Sequence, residues 1–362
     1  MTLRTLSKYF RQNPLMILII AIPLAFIAKI SGWGAMWVFA LSTIAIIPMA
    51  GLIGQATESL AVVTGPKIGG LLNATLGNAA ELIITLVAIK GGYMELVKAS
   101  ITGSIIGNIL FVLGMAMIVG GVKHKVQHFD RKQAGNHAIL LTLAVLALVI
   151  PSFFSHSIGS DTSPSVEALS LGVAVVMILL YVLGLFYSLK FKDSPLTYEV
   201  APVEPHKSEF SLRTSIILLT LATLTVVFLS ELLVGAIEEV VVVFGISEFF
   251  LGIILIPLVG NAAEHFVAVQ MAARNKMDLS VEIAISSSLQ IALFVAPILV
   301  FISLFMGNPL TLIFNSFELM ALGSGVLVTV MVSSDGESNW LEGATMFAVY
   351  IILALAFFLL KG

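Results

Sequence analysis

Glu81 and Glu264 stand in the same pentapeptide, once as Gly77-Asn78-Ala79-Ala80-Glu81 and once as Gly260-Asn261-Ala262-Ala263-Glu264. Each glutamate is embedded in apolar sequence. Leu82 to Ile89 follows the first, and Phe249 to Val259 leads to the second. An ionisable side chain within a membrane-spanning segment is costly and usually functional. No Lys or Arg lies close to either one along its own segment, so a local ion pair does not explain them. Two inward carboxylates brought together repel unless a proton or a metal ion lies between them. That is the chemistry of a site where a cation and protons compete.

The neighbouring residues suit a hard cation. Calcium takes about six to eight oxygen ligands from carboxylates, amides, backbone carbonyls and water. Asn78 and Gly77 lie three and four positions before Glu81, and Asn261 and Gly260 repeat this before Glu264. At helical spacing all three residues of each set share a face. The glycines are expected to loosen the helix and free carbonyls as ligands. His265 follows Glu264 and has no counterpart, since Leu82 follows Glu81. It is open to a role in protonation or to plain packing.

A second polar set occurs in the next segment of each half. Gly103-Ser104 with Gly107-Asn108 corresponds to Ser286-Ser287 with Gln290. Small residues at this spacing let helices pack closely. The alternative is that Ser104, Asn108, Ser287 and Gln290 complete a polar lining. Glu58, Glu231, Glu238 and Glu239 are further acids in or near apolar runs. Glu58 and Glu238 each precede a glycine, Gly65 and Gly245, by seven positions. They are candidates for guiding cations or relaying protons, unless their helices end earlier and they are wet ends.

The elements that carry these residues must be membrane helices. Of the 362 residues, 59% are hydrophobic and 11% charged, against about a quarter charged in a soluble domain. A spanning helix needs about 20 mostly apolar residues. Eleven segments qualify: 14–31, 35–63, 70–90, 97–120, 134–153, 166–189, 212–243, 249–273, 280–305, 311–333 and 343–361. The first follows Arg4, Lys8 and Arg11 and could pass for a signal peptide. No small-residue cleavage site follows it, so it reads as a membrane helix. There is no cysteine, hence no disulfide or thiol chemistry. No block of like charge suggests nucleic acid. The lipid bilayer is the surrounding partner, and no feature sets an oligomeric state.

Positive residues concentrate on the cytoplasmic side of membrane proteins. With the N-terminus inside, the inner segments hold Arg4, Lys8, Arg11, Lys67, Lys123, Lys125, Arg131, Lys132, Lys190, Lys192, Lys207, Arg213, Arg274 and Lys276. Only Lys29, Lys90, Lys98 and Lys361 of the 18 fall outside. This orientation puts the C-terminus outside. The inner loop at Asp335 and Glu337 departs from the pattern, with no positive residue.

The paired motifs belong to a longer repeat. Glu264 stands 183 positions after Glu81, and the same offset relates Ser287 to Ser104, Phe294-Val295 to Phe111-Val112 and Asp278 to Glu95. The chain therefore divides into a short N-terminus with an extra helix (1–34), a first five-helix unit (35–189), a polar cytoplasmic linker (190–211) and a second five-helix unit (212–362). An odd number of helices per unit makes the two copies enter the membrane from opposite sides, an inverted repeat with its site near the midplane. The predicted fold class is an all-α polytopic membrane protein of eleven helices.

Four stretches resemble one family: Ala56-Thr57-Glu58-Ser59-Leu60, Gly70 to Glu81, Val259 to His265, and Ser288-Leu289-Gln290-Ile291-Ala292-Leu293-Phe294. They are similar to the calcium/proton exchangers, the CAX branch of the cation/calcium exchanger superfamily, from about residue 35 onward. The resemblance implies antiport of Ca2+ against H+. In it Glu81 and Glu264 would bind calcium and protons in turn, with the Gly77 and Gly260 carbonyls joining them. It also matches Asn78, Asn261, Ser104, Ser287, Asn108 and Gln290 to the family's polar site positions. Eukaryotic members have a long regulatory N-terminus. Here about thirteen residues precede the first segment, a short form that suggests a prokaryotic cell membrane. No cofactor is implied, and calcium is the transported substrate.

Two rival functions call for residues that the sequence does not supply. Sodium/calcium exchange on the same scaffold would call for extra sodium ligands, yet the strict offset places Ile291 opposite Asn108. An intramembrane enzyme would need a His-Glu-x-x-His zinc motif or paired intramembrane aspartates. The sequence has neither: the six histidines are scattered and the aspartates fall in loops or at ends.

Overall fold

A computed structural model describes residues 13–160, 163–190 and 210–360. Helices dominate. Their order is α1 (Pro14–Ile30), α2 (Ala35–Thr64), α3 (Pro66–Leu76), α4 (Ala79–Lys90), α5 (Met94–His124), β1 (Val126–His128), α6 (Arg131–Ile158) and α7 (Pro164–Lys190). The second half holds α8 (Leu212–Val234), α9 (Ile237–Phe244), α10 (Glu248–Gly260), α11 (Ala262–Ala273), α12 (Met277–Phe305), α13 (Ser316–Val332), β2 (Glu337–Asn339) and α14 (Trp340–Leu359).

Among the described residues seven helices are long and apolar enough to cross a membrane: α2, α5, α7, α8, α12 and α14, with α6 over Arg131–Ser155. An eighth is possible if α9 and α10, bent by 113° at their junction, form one broken span. The apolar helices α1 and α13 are shorter, and α3–α4 and α10–α11 come in pieces. The chain is thus a multi-pass helical membrane protein.

Several boundaries differ from the sequence expectation. The segment 212–243 breaks at Gly235 and Ala236 between α8 and α9. The segment expected from 311 becomes helical only at Ser316. Asn315 caps it there, its side chain accepting from the amides of Phe317 and Glu318. The preceding stretch is buried yet irregular, so its amides need partners inside the protein. Serine hydroxyls supply them: Ser303 to Leu310 N, Ser170 to Leu312 N and Ser152 to Phe314 N, at 2.8, 3.0 and 2.9 Å. The linker expected at 190–211 lies, over 191–209, outside the described residues.

Three helices carry π-helical turns, at Gly107–Val112 in α5, Leu251–Leu255 in α10 and Ile291–Val295 in α12. A π-turn inserts one extra residue per turn and is frequent at functional sites. These turns lie where the two halves cross. A Cβ on Gly103 would overlap the Ile253 carbonyl, and one on Gly252 would meet the Leu96 carbonyl at 2.6 Å. Glycine permits the close approach of α5 and α10.

The two halves are also tied at one end. β1 pairs antiparallel with β2, Gln127 opposite Ser338. The buried Gln127 amide donates to the Ala272 carbonyl and to Asn275 Oδ1, both at 2.9 Å. Lys123 Nζ reaches the Ala273 carbonyl at 2.8 Å, with His124 Nε2 at 3.1 Å from the same oxygen. These donors meet the carbonyls at the C-terminal end of α11, where positive groups are favoured. Gln127→Leu removes two bonds and leaves buried acceptors unpaired, a cost of about 1–3 kcal/mol. A lower unfolding temperature in detergent is the expected result, read by circular dichroism.

Candidate functional site: a carboxylate pair at two helix breaks

The two pentapeptides fold alike. α3 ends at Leu76, and the helix restarts at Ala79 after Asn78, with φ −95° and ψ 23°. α10 ends at Gly260, and α11 starts after Asn261, with φ −96° and ψ 5°. Each asparagine carbonyl receives the first helical amide, Leu82 N at 3.0 Å and His265 N at 2.9 Å. The break is expected at the glycines. It falls on the asparagines, a residue type that favours the start of a helix. Gly77 and Gly260 keep helical geometry. Their lack of a side chain serves close approach instead. A Cβ on Gly260 would lie 3.2 Å from Glu81 Cγ, and one on Gly77 would meet the Asn73 carbonyl at 2.7 Å.

Consequently Glu81 and Glu264 occupy the first turn of α4 and α11. Two broken helices present their N-terminal ends to one region, and the positive end of a helix dipole favours negative charge there. Glu81 is 3% exposed; Glu264 is partly buried. The two carboxyls are near enough to act on one another electrostatically.

The polar set expected from α5 and α12 closes around them, largely by bonds between the halves. Asn78 Nδ2 donates to Gln290 Oε1 at 2.6 Å, and Asn261 Nδ2 donates to Ser104 Oγ at 3.3 Å. Asn108 Nδ2 donates to Ser287 Oγ at 3.0 Å, and the Ser287 hydroxyl donates to Glu264 Oε2 at 2.9 Å. His265 Nε2 lies 3.1 Å from Asn108 Oδ1 and its ring packs 5.9 Å from the Phe111 ring. His265 is therefore buried beside the site rather than facing water. Gly103 makes the tight crossing, and the adjacent Ser104 hydroxyl accepts from Asn261 Nδ2.

What remains unpaired is informative. Glu81 Oε1, Asn78 Oδ1 and Asn261 Oδ1 are buried and lack a hydrogen-bond partner. An unsatisfied buried polar atom is costly and marks strain, an ion or a functional role. All three are acceptor oxygens, suited to a cation or to a proton on the carboxyl. Among the described residues no three His, Asp or Glu side chains are placed to hold a metal ion. A cation here would draw on two carboxylates, amide and hydroxyl oxygens, carbonyls and water.

Two expected residues do not join this cluster. Glu58 is exposed on α2. Glu238 is exposed on α9, 3.4 Å from the Tyr93 hydroxyl that donates to it. Glu231 pairs with Lys90 at 3.5 Å, both exposed. Two buried acids escaped the sequence reading. Glu318, fully buried, accepts from Asn315 N at 2.8 Å and from the Thr102 hydroxyl at 3.4 Å. Its signal was legible as an Asn-x-x-Glu capping box. Glu282, 7% exposed, lies on α12. Its signal was an acid four positions after Asp278, inside an apolar segment.

These features define a multi-pass helical membrane protein whose two halves each contribute a carboxylate from a broken helix. The chain belongs to the sodium/calcium exchanger protein family, whose pattern matches residues 34–190 and 214–359. It is 43% identical to the Ca(2+)/H(+) antiporter of Aphanothece halophytica, over 94% of this chain and 95% of that one. It is 45% identical to the Ca(2+)/H(+) antiporter ChaA of Bacillus subtilis, over 94% and 97%. Its structure resembles that of native YfkE, with a TM-score of 0.84, 43% identity and coverage of 96% and 100%. The H+/Ca2+ exchanger CAX shares the fold at a TM-score of 0.72 and 19% identity, over 97% and 92%.

Proposed function

We propose that this protein is a secondary active Ca2+/H+ antiporter, in which Glu81 and Glu264 bind calcium or protons in turn. The observation that carries the reading is the set of orphaned acceptor oxygens on Glu81, Asn78 and Asn261 beside Glu264. Calcium is a hard cation and favours oxygen donors. Asn78, Asn261 and the Gly77 and Gly260 carbonyls complete its shell. Ser104, Asn108, Ser287 and Gln290 orient the shell through the bonds between halves. The names of the relatives support the choice of ions.

The exchange follows from charge. A calcium ion between the two carboxylates neutralises their repulsion, and protons do so equally. Each ion therefore expels the other. An alternating-access cycle lets protons moving inward drive calcium outward. The central pair serves both steps, so no separate cofactor takes part. Glu58 and Glu238, exposed away from the pair, serve access to it, and His265 tunes it through Asn108.

The architecture we infer is eleven spans. A short N-terminus with the extra helix makes up 1–34, and the inverted five-helix units make up 35–189 and 212–362, joined by the linker 190–211. In support, the π-turns of α5 and α12 keep the 183-residue offset, Val112 matching Val295, and the breaks at Asn78 and Asn261 keep it too. The charge bias favours a cytoplasmic N-terminus and an external C-terminus in the cell membrane.

Everted vesicles test the function. Calcium uptake driven by an imposed proton gradient is the expected result, collapsing with a protonophore. Uptake that follows a sodium gradient and ignores pH would instead establish sodium/calcium exchange. Asn108→Leu deprives Ser287 and His265 of a partner each and is expected to cost about 1–3 kcal/mol of calcium binding. A KM for calcium raised by about tenfold or more, accompanied by a lowered unfolding temperature from the unpaired Ser287 and His265, is the corresponding readout.

A further inference from the structure

A buried acid that shares no hydrogen bond with the central pair sits on α12 five positions before Ser287, at the end of the molecule that carries the β1–β2 ribbon. Glu282 on α12 faces a small cavity against the start of α6, lined also by Asp130, Gln133, His137 and Asp278. Gln133 Nε2 donates to Glu282 Oε2 at 3.1 Å. Glu282 Oε1 is buried and has no partner. The cavity holds about one water-sized group.

The other two acids of this cavity are engaged. Asp130 caps α6, accepting from the amides of Lys132 and Gln133 at 2.8 and 3.0 Å. Asp278 accepts from Asp130 N at 2.6 Å. The remaining charged and titratable groups nearby are accounted for. On α6 they are Arg131, Lys132 and His137. On β1, His128 is 3.6 Å from Glu337. At the end of α5, Lys123 and His124 meet the Ala273 carbonyl. Arg274 and Lys276 precede α12. Among the described residues no ion pair joins any of these bases to Glu282.

The other buried acid, Glu318, shows the contrast. Both of its oxygens accept hydrogen bonds, and Lys98, paired with Glu95 at 3.3 Å, lies close enough to act on it. Glu318 is a helix cap with its needs met. Glu282 has neither a second donor nor a counter-charge. A bare carboxylate there would be a buried charge left uncompensated. A metal ion is a poor remedy, since Asp130 and Asp278 already accept from backbone amides and one orphaned Glu282 oxygen is no oxygen cage. A proton is sufficient: it neutralises the group, and a water in the cavity accepts from the new O–H.

We propose that Glu282 is a proton-binding site separate from the central carboxylate pair, exchanging its proton through the ribbon end of the molecule. The site stands whether or not the central pair exchanges calcium; only its effect on transport rests on that reading. Charging Glu282 alters the contact between α6 and α12, and α12 carries Ser287 and Gln290.

Infrared difference spectra of the full chain in lipid, recorded as pH is raised, test the site without any transport assay. The wild type is expected to lose a protonated-carboxyl C=O band that is absent from Glu282→Gln and still present in Glu81→Gln. Glu282→Asp, which keeps the acid, should restore the band at an altered titration point. Carboxyl spectra of Glu282→Gln superimposable on those of the wild type overturn the proposal. Failure of the central reading would show differently, as a Glu81→Gln spectrum that loses nothing.

Discussion

Glu81→Gln is expected to abolish calcium-driven proton flux in proteoliposomes. The substitution keeps the shape of the side chain and its packing against Gly260, where a Cβ would already lie 3.2 Å from Cγ. It removes one of the two charges that hold a divalent ion, and it removes a group that can take up a proton. Both half-cycles therefore fail together. Conventional loss of a single neutral hydrogen bond costs about 0.5–1.5 kcal/mol and would leave measurable flux. Removing a ligand charge from a buried site costs more, because the partner charge on Glu264 and the orphaned amide oxygens remain. Flux should drop to that of empty liposomes while the protein elutes as the wild type does. Residual transport at the wild-type rate would rule out the pair as the exchange site.

The second large effect concerns packing. Gly103→Val should prevent assembly of the two halves. Its Cβ would overlap the Ile253 carbonyl and approach the Pro257 ring at 2.7 Å. Neither neighbour can step aside cheaply, since one is backbone inside a π-turn and the other a proline in the same helix. Overpacking typically costs about 1–3 kcal/mol and more where backbone must move. The displaced helix α10 leads directly into Asn261 and Glu264, so the site is lost with the crossing. The expected outcome is aggregated or protease-sensitive protein with no calcium binding. Gly54→Ala, at a position where a Cβ meets open space, is the control and should behave as the wild type.

How much of this was readable in advance follows from what each signal depends on. The glutamate pair was legible because a repeat offset depends only on sequence. The polar partners were legible because Ser104 and Ser287 share that offset. The bonds between halves were not, since Asn78–Gln290 and Asn108–Ser287 join residues that no local spacing relates. The break at asparagine rather than glycine was also hidden. Glycine is the weaker helix former, but here Gly260 serves as bare surface against Glu81 of the opposite half. The π-turns were invisible to a search at a fixed helical period. Glu58 and Glu238 were candidates because acids are rare in apolar runs. Exposure, which depends on tertiary packing, separates them from the pair. Glu282 was passed over for the reverse reason. It reads as one more polar residue near a helix start until the neighbouring helix removes it from water.

Calcium binding with counted proton release tests the central claim most directly. The protein, in detergent, is titrated with calcium in buffers of differing ionisation enthalpy, so that each proton released adds a known heat. The account predicts that calcium binding to the wild type releases protons, and that release and binding are both lost in Glu81→Gln. Calcium binding of unchanged affinity in Glu81→Gln, with the same proton release, would contradict it.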